Sequence, residues 1–371
     1  MVGSKQREIF ETLKDEILGG KYASVRTFPS ERALTVRFRA SRPTVRLAMR
    51  QLQEEGLVVR HQGCGTFVSR KARSRKIGLM LSGLTYSEYF QPMATAFMQL
   101  AREAGYTLCF SAVRASKPED RIHEAREIAA EFIREHVAGV IYHPLDYAFD
   151  RGAANRRILS VFGRAKIPVV LFDSDIEVAP ARSAYDVVSI NNFLAGETVA
   201  RHLLDAGARN IRFLLKPNWM PNAQNRIRGV ACAVVAASGA WSPANVLVAE
   251  PTDRERISRY LRKRPHPDAF ICENDNIAAE FLQTLKGLGV EVPRKMMLAG
   301  FDDVNVARLL SPPLTSIHQP CEQIATAAFD RIVARIADPA LPPQEIFIHA
   351  PLTVRASTFI QTTDRERKKT R

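Results

Sequence analysis

Apolar positions near the start of the chain recur with helical spacing. Ile9, Leu13 and Ile17 repeat every four residues and predict a helix that Gly19 and Gly20 stop. Pro29-Ser30 opens a second, short helix with Leu34 and Phe38 facing inward, and Arg39-Ala40 makes a turn. Ser41 caps a third helix, which accepts Pro43 in its first turn. On that helix Val45, Ala48, Met49 and Leu52 share one face, and Arg42, Arg46 and Arg50 form a stripe beside it. After Gly56, residues 57–60 and 66–68 predict two strands around the glycine-bearing turn 61–65. Two short helices joined tightly and followed by a hairpin predict a winged helix-turn-helix.

From residue 76 the period changes. Short apolar strands at 77–81, 107–113, 137–142, 168–172, 187–190, 210–215, 245–249, 268–272 and 296–300 alternate with amphipathic helices. That alternation predicts an α/β body of doubly wound parallel sheets covered by helices on both faces, with ligands at the carboxyl ends of the strands. Residues 70–75, RKARSR, read as a linker. The chain of 371 residues is long enough for two or three domains.

Charge sharpens this division. Residues 1–76 carry 17 Lys/Arg and 7 Asp/Glu, whereas 77–363 carry 31 and 30. A basic head on a near-neutral body points to a polyanion as the head's partner. The basic tail 364–371 reads as solvated terminal charge. Arginines near the start of a helix offer the planar fork that bonds a guanine edge, which makes Arg42, Arg46 and Arg50 candidates for the major groove.

In the body, polar residues collect after the strands: Asp173, Glu273-Asn274-Asp275 and Asp302-Asp303. Carboxylates accept hydroxyl donors, Arg226 donates to oxygen, and Tyr86, Tyr89, Phe90 and Trp219 offer faces for stacking on a sugar. Each post-strand Asp also has a plain reading as a helix cap.

Other classes are disfavoured. There is no GxxxxGK[ST], GxGxxG after a strand, HExxH or GxSxG, and the eight histidines are scattered, so the reading is not an enzyme and calls for no cofactor and no metal. The five cysteines are widely spaced without CxxC, which fits a reducing compartment. No apolar run suits a membrane, and the charged N-terminus is unlike a signal peptide, so a cytoplasmic location is expected. The alternative function is a sugar-binding protein or sugar-acting enzyme without regulatory DNA binding.

The segments FPSERAL (28–34), SRPTVRLAMRQLQEEGLV (41–58) and QGCGTFV (62–68) resemble the winged helix-turn-helix of GntR-type regulators. The resemblance implies DNA contacts from Arg32, Ser41, Arg42, Thr44, Arg46 and Arg50, with Gln62 and Gly63 at the wing tip. IPVVLFDSD (167–175), NRIRGV (225–230), the run 267–304, LTSIHQP (314–320) and VRAST (354–358), among others, resemble the effector domains of LacI/GalR-type repressors, related to periplasmic sugar-binding proteins. This implies an effector cleft lined by Tyr86, Tyr89, Asp173, Trp219, Arg226 and Asp275. Asn191 stands where that pattern has aspartate. The expected layout is a head at 1–69, a linker at 70–75, a body at 76–363 and a tail at 364–371. The body's first lobe would hold about 76–175 and 304–319, its second about 176–303 and 320–363, with crossings near 175, 303 and 319. The expected function is a homodimeric, sequence-specific DNA-binding regulator, by resemblance a repressor of carbohydrate genes, controlled by a small sugar-like effector. A GntR-type head on a LacI-type body is the architecture of arabinose-responsive repressors.

Overall fold

The computed structural model describes residues 2–18, 21–22, 27–61, 64–69, 76–82, 87–115, 117–145, 151–217, 219, 221–238 and 240–359. In the head, α1 (Val2–Leu18), α2 (Glu31–Phe38) and α3 (Arg42–Glu54) precede the antiparallel wing β1 (Val58–His61) and β2 (Gly65–Val68). The sequence fixes both ends of the turn between α2 and α3. Arg39 leaves α2 in a left-handed conformation (φ 47°), and the Ser41 hydroxyl accepts the Thr44 N–H at 3.4 Å. Ile9, Leu13, Leu34, Val45, Ala48 and Leu52 are fully buried together, so the apolar face of α3 forms the core of the head and its arginine stripe stays outside.

The body contains two six-stranded sheets. The first runs β13-β7-β6-β5-β3-β4, all parallel, built from β3 (Lys76–Leu81), β4 (Thr107–Ala112), β5 (Gly139–Tyr142), β6 (Val169–Phe172), β7 (Asp186–Ile190) and β13 (Glu345–Ile348). The second runs β14-β12-β11-β10-β8-β9, from β8 (Ile211–Leu215), β9 (Val246–Val248), β10 (Ala269–Cys272), β11 (Met297–Asp302), β12 (Thr315–His318) and β14 (Leu352–Thr353). Among the described strands of these two sheets, only β14 is antiparallel to its neighbour. β5, β6, β7 and β10 are buried along their whole length, as parallel strands covered on both faces must be.

The crossings between lobes differ from those expected. The chain does not leave the first sheet near 175: β7 pairs with β6 through Val170–Asp186 and Phe172–Val188, so the first crossing follows Ile190. Nor does it cross near 303, because β12 pairs in parallel with β11, which keeps residues 304–318 in the second lobe. The crossing expected near 319 is there. Past it the helix Cys321–Ala337 packs on β5, β6 and β7 of the first lobe, not on the second. A third crossing joins β13 to β14. The short strands β12 and β14 carry too few apolar residues to stand out by pattern; β12 is Thr-Ser-Ile-His and β14 is Leu-Thr.

The remaining helices used below are α4 (Ser87–Glu103), α7 (Asn192–Asp205), α8 (Pro221–Ser238), α10 (Asp275–Gly287), α11 (Asn305–Leu309) and α12 (Cys321–Ala337), with α5, α6 and α9 at Pro118–Arg134, Arg151–Arg164 and Arg254–Leu261. α7 and α8 approach unusually closely. A Cβ on Gly196 would stand 2.0 Å from the Arg226 carbonyl oxygen, and one on Gly229 would stand 1.9 Å from that of Phe193. Only glycine permits this crossing, and it fixes where α8 presents Arg226.

Candidate functional site

On the head, Arg32, Arg42, Arg46 and Arg50 are all exposed, Arg46 with 64% of its side chain accessible. Glu31 lies between the arginine stripe and the wing, its carboxylate oxygens 3.5 Å from Arg46 Nε and 3.6 Å from Arg60 Nη1. Ser41 and Thr44 behave differently from the arginines. Their hydroxyls bond each other at 2.7 Å and Thr44 is buried, so this pair secures the start of α3. Gln62 and Gly63 lie outside the described residues.

A second charged cluster ties α1 to α2. Glu16 accepts from Arg37, Lys21 and, at 2.7 Å, from the Tyr22 hydroxyl. Hydrogen bonds from Arg37, opposed by burial and aided by Lys21, hold the Glu16 carboxyl at about 2 instead of the ordinary 4.5. A depressed carboxyl stabilises the fold fully above its unfolded value and loses that contribution as pH falls toward the folded one. Hydrogen-exchange protection of α1 and α2 should therefore decline between about pH 4.5 and about pH 2. In Glu16→Gln that decline should be shallower and should start from weaker protection at pH 7.

In the body, the carboxyl ends of the strands of both sheets meet at a cleft of about 620 Å³, open mouth included. Asp173, directly after β6, is at its centre in a left-handed conformation (φ 66°) and 2% exposed. Its Oδ1 accepts the Tyr89 hydroxyl at 2.7 Å; its Oδ2 faces His143 Nε2 at 3.3 Å and accepts Asn222 Nδ2 at 3.0 Å. Burial alone would raise this carboxyl, but His143, Tyr89 and the Arg226 charge together hold it below the usual range. The Asn222 contact spans the lobes, as does the Val306 N–H donated to Glu88 at 3.3 Å.

Across the cleft, Arg226 is buried on α8. Its Nε donates to Asn192 Oδ1 at 2.8 Å, its Nη1 to the Glu273 carbonyl at 2.6 Å, and its plane lies 4.3 Å over the Phe301 ring. Nη2 is 3.9 Å from Asp302 Oδ1, which also accepts Gln319 Nε2 at 3.1 Å. Burial pushes the Asp302 carboxyl up against the opposing pull of Arg226 and Gln319. Gln319 Oε1 is buried without a hydrogen-bond partner among the described residues. Asn274 and Asn276 complete the polar lining.

The cleft thus brings together Tyr89, Asp173 and Arg226 from the sequence reading. Asp275 is corrected: it is fully buried beneath the cleft, where Oδ1 accepts the Ser316 hydroxyl at 2.7 Å and Oδ2 accepts the Val304 N–H at 3.1 Å. Burial, then the nearby Asp302, raises its carboxyl well above the ordinary value. Asp275→Ala should consequently lower stability by about 1–3 kcal/mol in urea unfolding, because it orphans both donors. Trp219 is half-buried against the apolar core and does not line the cleft; Tyr86 lies outside the described residues. Asn191 caps α7 by accepting the Leu194 N–H at 3.0 Å, so its departure from the expected aspartate leaves the cleft unchanged. Asp302, read from the sequence with Asp173 as a polar residue after a strand, also lines the cleft, whereas His143, Asn222 and Gln319 are cleft residues that the sequence reading does not name as ligand contacts. His143 carries the same signal as Asp173, a polar residue at the end of a parallel strand.

Ser82, His143 and Asp173 form a hydrogen-bonded row, with His143 Nδ1 2.7 Å from Ser82 Oγ. Ser82 is 1% exposed and outside the cleft lining, so the hydroxyl is not offered to a substrate as nucleophilic catalysis requires. Among the described residues, no cluster of three His, Cys, Asp or Glu is placed to hold a metal, and no helix is long and apolar enough to cross a membrane.

Residues 5–68 match the profile of bacterial regulatory proteins of the gntR family, and residues 200–358 match that of the periplasmic binding protein-like domain. The chain is a DNA-binding transcription regulator with a GntR-family head and a periplasmic-binding-protein-like body. Along nearly its whole length it is similar to the arabinose metabolism transcriptional repressor of Geobacillus stearothermophilus, at 28% identity over 93% of this chain and 96% of that protein. It is also similar to the ribose operon repressor of Bacillus subtilis strain 168, at 27% identity over 76% of this chain and 80% of that protein. These relatives are repressors, not enzymes. The fold resembles that of the transcriptional regulator CelR in complex with cellobiose, with a TM-score of 0.66 at 21% identity over 86% of this chain and 91% of that one. It also resembles a LacI-type regulator of Alkaliphilus metalliredigens QYMF bound to D-xylulofuranose, with a TM-score of 0.60 at 21% identity over 77% of this chain and all of that one.

Proposed function

We propose that the protein is a cytoplasmic homodimeric repressor of carbohydrate uptake or catabolism genes, whose DNA affinity a sugar sets by binding between the lobes. Arg32, Arg42, Arg46 and Arg50 read and grip the operator, and Ser41 and Thr44 hold the reading helix in place. Tyr89, Asp173, Arg226, Asp302 and Gln319 hold the sugar. The observation that carries this reading is the buried donor and acceptor set converging from both sheets on one cleft: Asp173 and His143 from the first, Arg226 and Asp302 from the second. A ligand touching both sides favours the closed arrangement, and it shifts DNA affinity by no more than its preference between arrangements. Nearly full-length similarity to an arabinose repressor, and similarity over 76% of this chain to a ribose repressor, support a sugar as that ligand.

Two measurements test it. Arg42→Ala should weaken operator binding by about 1–3 kcal/mol in fluorescence anisotropy and relax base choice in its half-site. Undiminished selectivity would remove Arg42 from the reading. Titrating a panel of pentoses and hexoses into the protein–operator complex should release DNA with at least one of them. The same sugar, held at about 100 times its Kd, should add about 2.7 kcal/mol to stability.

A further inference from the structure

We propose that Leu47, backed by Pro43, reads thymine: the outward face of α3 carries an apolar strip beside its arginines, and that strip covers the C5-methyl group of a thymine in the major groove. This rests on the reading above that α3 enters the groove and deepens it, because the arginines by themselves account only for guanine.

α3 has two sides. Val45, Ala48 and Leu52 are fully buried in the core of the head, whereas Arg42, Pro43, Arg46, Leu47 and Arg50 are exposed. At about 100° per residue these five span one continuous arc, with the arginines along one side and Pro43 and Leu47, one turn apart, along the other. Arg46 is turned toward the wing: its Nε is 3.5 Å from the Glu31 carboxylate, which also approaches Arg60 of β1. Leu47 lies about 100° further round the helix. It leaves 41% of its surface in water and takes no part in the core. One exposed leucine is ordinary on a protein surface; its place among the arginines gives this one a role. A duplex held by Arg42, Arg46 and Arg50 also covers the strip beside them. The start of the helix is fixed by the Ser41 cap on the Thr44 N–H, by the bond between their hydroxyls at 2.7 Å and by the locked φ of Pro43, so the strip is presented at a set depth.

Base edges in the major groove offer a leucine one apolar partner, the thymine methyl. Cytosine lacks that methyl and exposes an N4 amine, and the purine edges present polar atoms. Leucine strips water from those groups and returns no hydrogen bond, so a donor or acceptor is left unpaired. Leu47 thus favours thymine by apolar contact and disfavours the other bases by desolvation, while the neighbouring arginines favour guanine through O6 and N7. The half-site that follows is mixed, with guanine under the arginines and thymine under the flank turned away from Glu31 and the wing.

The test uses the full chain to enrich preferred sites from a randomised duplex pool. Each thymine of the enriched half-site is then replaced singly by deoxyuridine, which removes the methyl group and nothing else. Fluorescence anisotropy should find a thymine whose replacement weakens wild-type binding by about fourfold, the worth of one buried methyl group. Leu47→Ala should weaken binding to the thymine duplex by about tenfold and lose all sensitivity to that uracil. Leu47→Met, which keeps an apolar side chain, should retain the sensitivity. A wild-type protein indifferent to every uracil, or a Leu47→Ala variant that keeps the full uracil penalty, overturns the inference and leaves the arginine reading standing. A pool that yields no preferred sequence, or base choice unchanged in both Arg42→Ala and Arg46→Ala, overturns the groove reading itself, and this inference with it.

Discussion

Replacing Arg226 with leucine should cost the body about 3–5 kcal/mol of stability and abolish the response to any effector, while operator binding by folded protein is retained. The guanidinium satisfies Asn192 Oδ1 and the Glu273 carbonyl and tempers the buried Asp302. Leucine fills some of the volume but leaves two buried acceptors without their donor and removes the positive charge beside Asp302. Urea unfolding measures the first effect; operator titration with and without sugar measures the second. Retention of a normal sugar response in Arg226→Leu would exclude the cleft as the sensing site. The head should be indifferent, because its core of Ile9, Leu13, Leu34, Val45 and Leu52 is assembled from its own helices.

The second large effect belongs to the crossing of α7 and α8. Gly229→Ala should destabilise the second lobe by about 3 kcal/mol or more, since the new methyl would have to occupy space 1.9 Å from the Phe193 carbonyl oxygen. Gly196→Ala should act alike through the Arg226 carbonyl at 2.0 Å. Relief requires the helices to separate, and α8 carries both Asn222 and Arg226. A variant that still folds should therefore bind sugar more weakly, although neither glycine touches the cleft. Denaturant midpoints and sugar titrations on the same samples separate the two consequences. Unchanged midpoints would show that the helices can part at little cost.

The head was legible in the sequence because every signal in it is local. Caps at Ser30 and Ser41, the apolar face of α3 and its arginine stripe all fall within a few residues of one another, and each is found where the pattern puts it. Thr44 is the exception: i, i+3 spacing to Ser41 is as compatible with a hydroxyl pair as with a groove contact. In the body the alternation of strand and helix gave the layers, but not the crossings. Those depend on which strands pair, and β7 with β6 and β12 with β11 are pairings that no local pattern encodes. The cleft was half legible for the same reason. A polar residue after a buried strand identifies Asp173, but between Asn274 and Asp275 only the direction of the backbone leaving β10 decides which faces the ligand. Asn274 lines the cleft and caps α10 at Ile277, while Asp275 turns down to Ser316. Gln319 becomes visible only once the crossing after β12 is known.

The aspartates that close β6 and β11 share a backbone habit: Asp173, Asp302 and Asp303 all have positive φ, at 66°, 103° and 53°. Few side chains tolerate that region, but aspartate and asparagine are both among those that do. Exchange between these two at Asp173 or Asp302, which line the cleft, swaps an acceptor for a donor, or a charge for none, with no added backbone strain, whereas valine or isoleucine would strain the chain itself. The scaffold therefore leaves one inexpensive route by which a descendant of this protein can come to answer a different metabolite.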